Sequence, residues 1–475
     1  MHSLDKIGSY VEQVCQQIRW KKAKPRISEE ITNHIIDSRD EFIKQGLSEN
    51  AAIDAAITST GNAEDIGIQL DRIHRPKPQW NMLIVVSVLL LLGLLVRILI
   101  FNDAGRVEPL YIRLIYLFFG IAGMLTAYYA DFTILDKYPK TICFSVLGGI
   151  IVLITASIVF PAVVDAHLYF SIILLFPVVF STVIFSSRNN GYKGIVACCF
   201  IYLIFCFLIL VSITWYLYIT ISYLFLLSIF IHKGWFGTRK FIYYMLMITP
   251  VLLLIPMILS AGSFYLQNIK LAVNPIYIIG DNVLINYSGV LTIDDNVLIN
   301  YSGVITRELL SNARFIGESS ISLDGSHHFG TELFQGLFSN LNHSILISES
   351  DMNLYSVNLL TSLITKFGWI SFIVILTVMF VFIGMGLRNC INQKSSLGFL
   401  ISLAVMITFC FQVISNTIYN LGFQLSYIPI PLPLIVSNNF GFILNMILIG
   451  LMLSVFRTGD TVLDKNIKVL SDYKT

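Results

Sequence analysis

Charge is scarce in this chain. Of 475 residues, 13% are Asp, Glu, Lys or Arg, about half the ~25% usual for soluble domains. That shortage excludes a disordered chain and an ordinary water-soluble enzyme. Net charge is equally small, 31 basic against 29 acidic residues, so no field attracts a nucleic acid partner. The longest polar stretch, 265–353, contains no cysteine, which leaves no disulfide framework. Cys15 lies in the polar N-terminal segment, whereas Cys143, Cys198, Cys199, Cys206, Cys390 and Cys410 lie in or beside apolar runs and read as small buried hydrophobes. No cleavable leader is expected, because the chain opens MHSLDKIGSY and its first long apolar run begins near Trp80.

What is abundant is apolar surface. Hydrophobic residues make up 56% of the chain, with 34 Phe and 22 Tyr, and the mean hydropathy is +0.76. An all-α polytopic membrane protein follows, preceded by a small soluble helical domain. Residues 1–79 hold 11 of the basic and 12 of the acidic residues. There Ile31, Ile35, Ile36 and Phe42 recur near helical spacing among acids. Gly46 stops that helix, Ser48 is placed to cap the next, and Gly61-Asn62 breaks the chain again. Arg75-Pro76-Lys77-Pro78 reads as a stiff basic linker.

From Trp80 onward ten apolar runs are long enough to cross ~30 Å of hydrocarbon. They lie near 80–101, 111–130, 142–163, 168–186, 192–211, 213–231, 241–263, 367–387, 396–419 and 433–456. With a cytoplasmic N-terminus, the short inner loops carry Lys137, Lys140, Arg188, Lys193, Lys233, Arg239, Lys240, Arg388 and Lys394, and the short outer loops only Arg106. This positive-inside bias puts both termini, including the tail 457–475, in the cytoplasm and loop 265–353 outside. Arg97, late in the first run, is placed to snorkel to the headgroups. DNVLINYSGV occurs at 281–290 and again at 295–304. It reads either as a duplication tolerated in a solvated loop or as a β-hairpin of the two Val-Leu-Ile-Asn-Tyr copies.

The C-terminal third carries the most specific pattern. Phe411-Gln412, Asn416, Gly422 and Ile430-Pro431-Leu432-Pro433 resemble the last two spans of the FtsW/RodA/SpoVE (SEDS) family of bacterial division, elongation and sporulation proteins. Leu309 to Gly317 is similar to that family's outer segment, Phe367-Gly368-Trp369 to the start of its eighth span, and Ala130-Asp131-Phe132 with Leu135 and Tyr138 to its turn after the second. Gly46-Leu47-Ser48-Glu49-Asn50-Ala51-Ala52 and His74-Arg75-Pro76-Lys77 resemble a helical prefix found ahead of some permeases. The family resemblance implies a membrane domain over 80–456 that polymerises peptidoglycan from a lipid-linked disaccharide-pentapeptide in the bacterial plasma membrane. The implied partner is a class B penicillin-binding protein, a transpeptidase. No cofactor is certain, and a divalent cation remains open.

Several family marks are altered. The catalytic carboxylate of the family falls about eleven residues before Gly368, at Val357, and the nearest acid is Asp351. Either Asp351 serves as general base or the carboxylate is missing, with Glu318 and Glu349 in reserve. Val436-Ser437-Asn438-Asn439 replaces the family's Ser-Tyr-Gly-Gly, and no Pro-Ser-Glu motif lies within 160–190. Arg307 and Arg314 are candidate grips on a diphosphate, against the alternative of loop arginines paired with acids. Gln412 and Asn416, at i and i+4 on one helix face, either bond between helices or line a substrate cavity. His327, His328 and His343 read as solvated, so no metal ligand is assigned. Two rival readings accompany this one: a non-catalytic scaffold or regulator on the same fold, and a transporter or lipid translocase. Pro177, Pro250 and Pro256 are expected to interrupt spans.

Overall fold

The computed structural model describes residues 2–21, 23–74, 76, 78–101, 110–130, 132–159, 166–208, 213–260, 276–278, 290–293, 297–319, 359–423, 430–435 and 439–459. Its chain divides into two compact units, Met1–Gln79 with Ile391–Phe399 and Ser454–Thr475, and Trp80–Cys390 with Leu400–Leu453.

Within the first unit, four helices enclose a core of their own: α1 (His2–Gln16), α2 (Lys24–Lys44), α3 (Glu49–Thr60) and α4 (Ala63–His74). Ile7, Val11, Val14 and Ile18 recur every three or four residues and pack with Ile27, Ile31 and Ile35 around Ile53 and Ala56. Asn62 begins α4 by accepting the Glu64 N–H at 2.9 Å on its side-chain oxygen. Ser48 occupies the N-cap of α3 with extended backbone but makes no side-chain cap bond, so the expected cap is one of position only. Lys6 pairs with Asp54 at 2.7 Å, both side chains more than half exposed, an interaction of ~0–1 kcal/mol.

The second unit contains the membrane helices: α5 (Trp80–Phe101), α6 (Leu110–Tyr129), the short α7 (Ile134–Lys137), α8 (Pro139–Val159), α9 (Ala166–Ile173), α10 (Phe176–Ser186), α11 (Gly191–Leu208), α12 (Ile213–His232) and α13 (Lys240–Ser260). After an irregular region come α14 (Tyr301–Ser311), α15 (Leu359–Phe367), α16 (Trp369–Ile391), α17 (Ser396–Asn420) and α18 (Asn439–Thr458). Among the described residues six helices are long and apolar enough to cross a bilayer, and four shorter apolar stretches, Trp80–Val96, Leu114–Tyr129, Phe170–Ser186 and Lys240–Ile255, match the remaining expected runs. Phe118, Phe144 and Phe207 are each 68% exposed, a disposition suited to hydrocarbon and not to water. The interior is built from α12, α17 and α18, whose Tyr218, Tyr223, Met406, Phe409, Ile449 and Met452 are fully buried. The chain is thus an all-α, polytopic, membrane-embedded protein.

One proline expectation holds and two expectations are corrected. The fourth run is two helices, parted at Leu174-Leu175, as Pro177 at the start of α10 has no N–H to continue the ladder. Pro250 and Pro256 do not interrupt α13; membrane helices absorb proline where neighbours re-satisfy the freed carbonyls. The last run does not begin as helix at 433. Ile430 to Ile435 is irregular, Leu434 adopts φ +62°, and α18 starts at Asn439. Pro431 and Pro433 impose this, since each lacks a donor and disfavours helix in the residue before it.

A small antiparallel sheet adds to the helices: β1 (Ile276–Ile278), β2 (Val290–Ile293) and β3 (Val297–Asn300), ordered β1-β3-β2. The repeat does supply a hairpin strand, but β3 from its second copy pairs with β1 and with Val290–Ile293. The first copy's Val283–Tyr287 lies outside the described residues. Tyr301 of the second copy opens α14.

Candidate functional site

Two of the stretches that carry the family resemblance, Leu309 to Gly317 and Phe367-Gly368-Trp369, meet in the structure. The segment after α14 runs against the junction of α15 and α16. Trp369 N–H donates to the Arg314 carbonyl and Ile370 N–H to the Phe315 carbonyl, both at 3.1 Å. In return Gly317 N–H donates to Phe367 O at 3.1 Å and Ser319 N–H to Thr365 O at 2.8 Å. A helix end leaves backbone donors or acceptors without intrahelical partners. This segment therefore serves donors at the start of α16 and acceptors at the end of α15 together. Ser319 Oγ ties the segment to itself by donating to Asn312 O at 3.1 Å. Gly368 lies at the crossing with φ +88°, and a Cβ there would stand 2.6 Å from Phe315 O. Only glycine fits such a place.

The start of α15 is served from α17. Asn420 Oδ1 accepts Leu360 N–H at 3.0 Å and Thr361 N–H at 3.2 Å, while Thr361 Oγ1 donates to the Asn420 carbonyl at 2.8 Å. Asn420 is the end of a polar column down α17. Its Nδ2 donates to Asn416 O at 2.9 Å. Asn416 Nδ2 donates to Ile430 O at 3.0 Å, Gln412 Nε2 to Asn445 Oδ1 of α18 at 2.9 Å, and Thr408 Oγ1 lies 2.9 Å from Tyr218 Oη. Tyr218 Oη also donates to Leu174 O at the α9–α10 break. Thr408, Gln412 and Asn420 are 0% exposed and Asn416 is 7% exposed. The four are spaced by four residues, so they share one ridge. Three irregularities of the unit, the break at Leu174, the Ile430 segment and the start of α15, are tied to this ridge. That is how non-helical backbone persists at membrane depth.

The Ile430 segment reaches that depth because α5 yields to it. A Cβ on Gly93 would stand 2.5 Å from Leu434 O, and Gly93 lies roughly 12 Å from the end of α5 at 1.5 Å per residue. Lys366 Nζ donates to Leu99 O in the last turn of α5 at 2.9 Å, a cation where the helix end favours one.

Of the residues singled out in the sequence, Arg307 sits on α14 with its guanidinium 4.7 Å from the Phe423 ring centre, a cation–π arrangement. Burial lowers its pKa from the ordinary arginine value, and it stays charged at any physiological pH. Arg314 has an exposed side chain and contributes its carbonyl to the junction. Gln412 and Asn416 use an amide N–H each within the protein, as above. Glu318 is exposed. Asp351, Glu349, Val357, His327, His328 and His343 lie outside the described residues. No three His, Cys, Asp or Glu side chains converge as a metal site among the described residues. Sequence reasoning missed Asn420, Asn445, Thr408, Tyr218 and Lys366. The period of four that joins Gln412 to Asn416 extends to Thr408 and Asn420 and was the available signal.

No family model matches the chain, and no curated protein matches it. Among solved structures it is similar to a chain from "Structural coordination of polymerization and crosslinking by a peptidoglycan synthase complex", with a TM-score of 0.51 and 12% sequence identity, over 80% of this chain and 98% of that one. At that identity the likeness shows a shared fold.

Proposed function

We propose that this protein serves peptidoglycan synthesis in the bacterial plasma membrane as a SEDS-type protein of division, elongation or sporulation, with both termini cytoplasmic. The observation that carries the reading is the fold likeness over 98% of a chain from a peptidoglycan synthase complex. The sequence resemblance points the same way, and the packing of Arg314–Ser319 on Phe367-Gly368-Trp369 supports it.

In this reading the substrate is a lipid-linked disaccharide-pentapeptide. Asp351 takes the proton from the acceptor sugar hydroxyl, that oxygen bonds to the anomeric carbon of the donor, and the bond from that carbon to the lipid diphosphate breaks. Arg307 and Arg314 hold the departing diphosphate, with a divalent cation as an open addition. Gln412 and Asn416 shape the substrate's surroundings from α17. A class B penicillin-binding protein would cross-link the product. Strand polymerisation by purified protein on labelled precursor tests this. The expected outcome is activity in wild type and a loss of at least about 100-fold in Asp351→Ala, the scale of a general base; equal activity in both clears Asp351 of the role.

A second reading, a non-catalytic scaffold on the same fold, is favoured by Val357 where the family has its acid and by Gln412 and Asn416 bonding within the protein. It predicts no polymerisation by wild type, together with co-purification of a transpeptidase.

A further inference from the structure

We propose that Gln412 and Asn445 bind a single hydroxyl oxygen between α17 and α18, a site that does not depend on the wall-synthesis reading. Both residues are 0% exposed. Gln412 Nε2 donates to Asn445 Oδ1 at 2.9 Å, whereas Gln412 Oε1 and Asn445 Nδ2 are buried without a hydrogen-bond partner among the described residues. Two facing primary amides are able to close into a ring of two bonds; this pair makes one and leaves one acceptor oxygen and one donor nitrogen wholly unserved. Exchanging oxygen and nitrogen in both amides reverses the roles and leaves the same complement, one open oxygen and one open nitrogen. Elsewhere on the ridge Thr408, Asn416 and Asn420 bond to protein partners, so the open capacity belongs to this step.

The chemistry of the pair selects its ligand. A cation is refused by the Asn445 N–H, an anion by the Gln412 oxygen, and an apolar group leaves both unserved. A hydroxyl donates to Oε1 and accepts from Nδ2 with one oxygen atom. Its source is water or the alcohol of a lipid or glycan, and a polar site walled in by protein suits either.

The test is a cryo-EM map of the full chain in lipid nanodiscs, at a resolution that displays ordered waters. One density within hydrogen-bonding distance of both open amide atoms is expected. An isolated peak identifies water, and density continuous with a larger molecule identifies an alcohol. The double variant Gln412→Met/Asn445→Leu is expected to lose the peak. Amides closed into a two-bond ring, another protein group at the pair, or no density there while waters are visible elsewhere overturns the proposal.

Discussion

Gly368 shows how far one residue can decide the junction of α15 and α16. Its φ of +88° and the Phe315 carbonyl 2.6 Å from a would-be Cβ leave an alanine no relaxed position. Gly368→Ala is expected to cost about 2 kcal/mol or more, read as a lower thermal midpoint in detergent. Gly384→Ala is the control: a Cβ there meets nothing within 4 Å and sits within α16, so the midpoint is expected to hold or rise. At this scale the sequence was partly legible. Phe367-Gly368-Trp369 was visible as a motif, but the reason for its glycine, a carbonyl contributed from some fifty residues upstream, has no local signature. Gln412 and Asn416 could be joined by spacing alone; Asn445, 33 residues further on, could not.

Among the elements, α15 depends most on a distant partner. Residues Leu359 to Thr365 are all buried, and the first N–H groups find their acceptor in Asn420, about sixty positions away. Asn420→Ala leaves those buried donors without their cap, at a cost of about 1–3 kcal/mol for each group left unserved. Amide exchange across 359–367 is expected to quicken at least tenfold, while exchange within α12 stays unchanged; equal protection in variant and wild type would show that Asn420 is no cap. The long spans were legible because hydrocarbon demands about twenty apolar residues in a row. Neither α14 nor α15 was, since short helices stabilised by tertiary contacts announce no period of their own. Proline was a reliable guide at Pro177, which breaks the ladder before α10, and a misleading one at Pro250 and Pro256 within α13, because the outcome rests on neighbouring groups that a linear string does not display.

For the whole molecule, ten helical passages and the bias of basic loops together predict that 265–353 faces the exterior. A cysteine substituted at Ser339 is expected to react with a membrane-impermeant maleimide on intact cells, and one at Ser186 to react only after permeabilisation. The reverse pattern would invert the assignment and remove the wall-synthesis reading with it. The all-α polytopic architecture was legible from hydropathy, and the fold likeness persists at 12% identity because lipid constrains length and apolarity more than residue identity. What hydropathy could not reveal is the unwound ribbon at Ile430–Ile435, as apolar as the helix that follows. Every second position from Pro431 to Pro433 arrives without an amide hydrogen. A valine of similar bulk and greasiness would bring in an N–H that demands an acceptor of its own, so these two rings matter for what they omit.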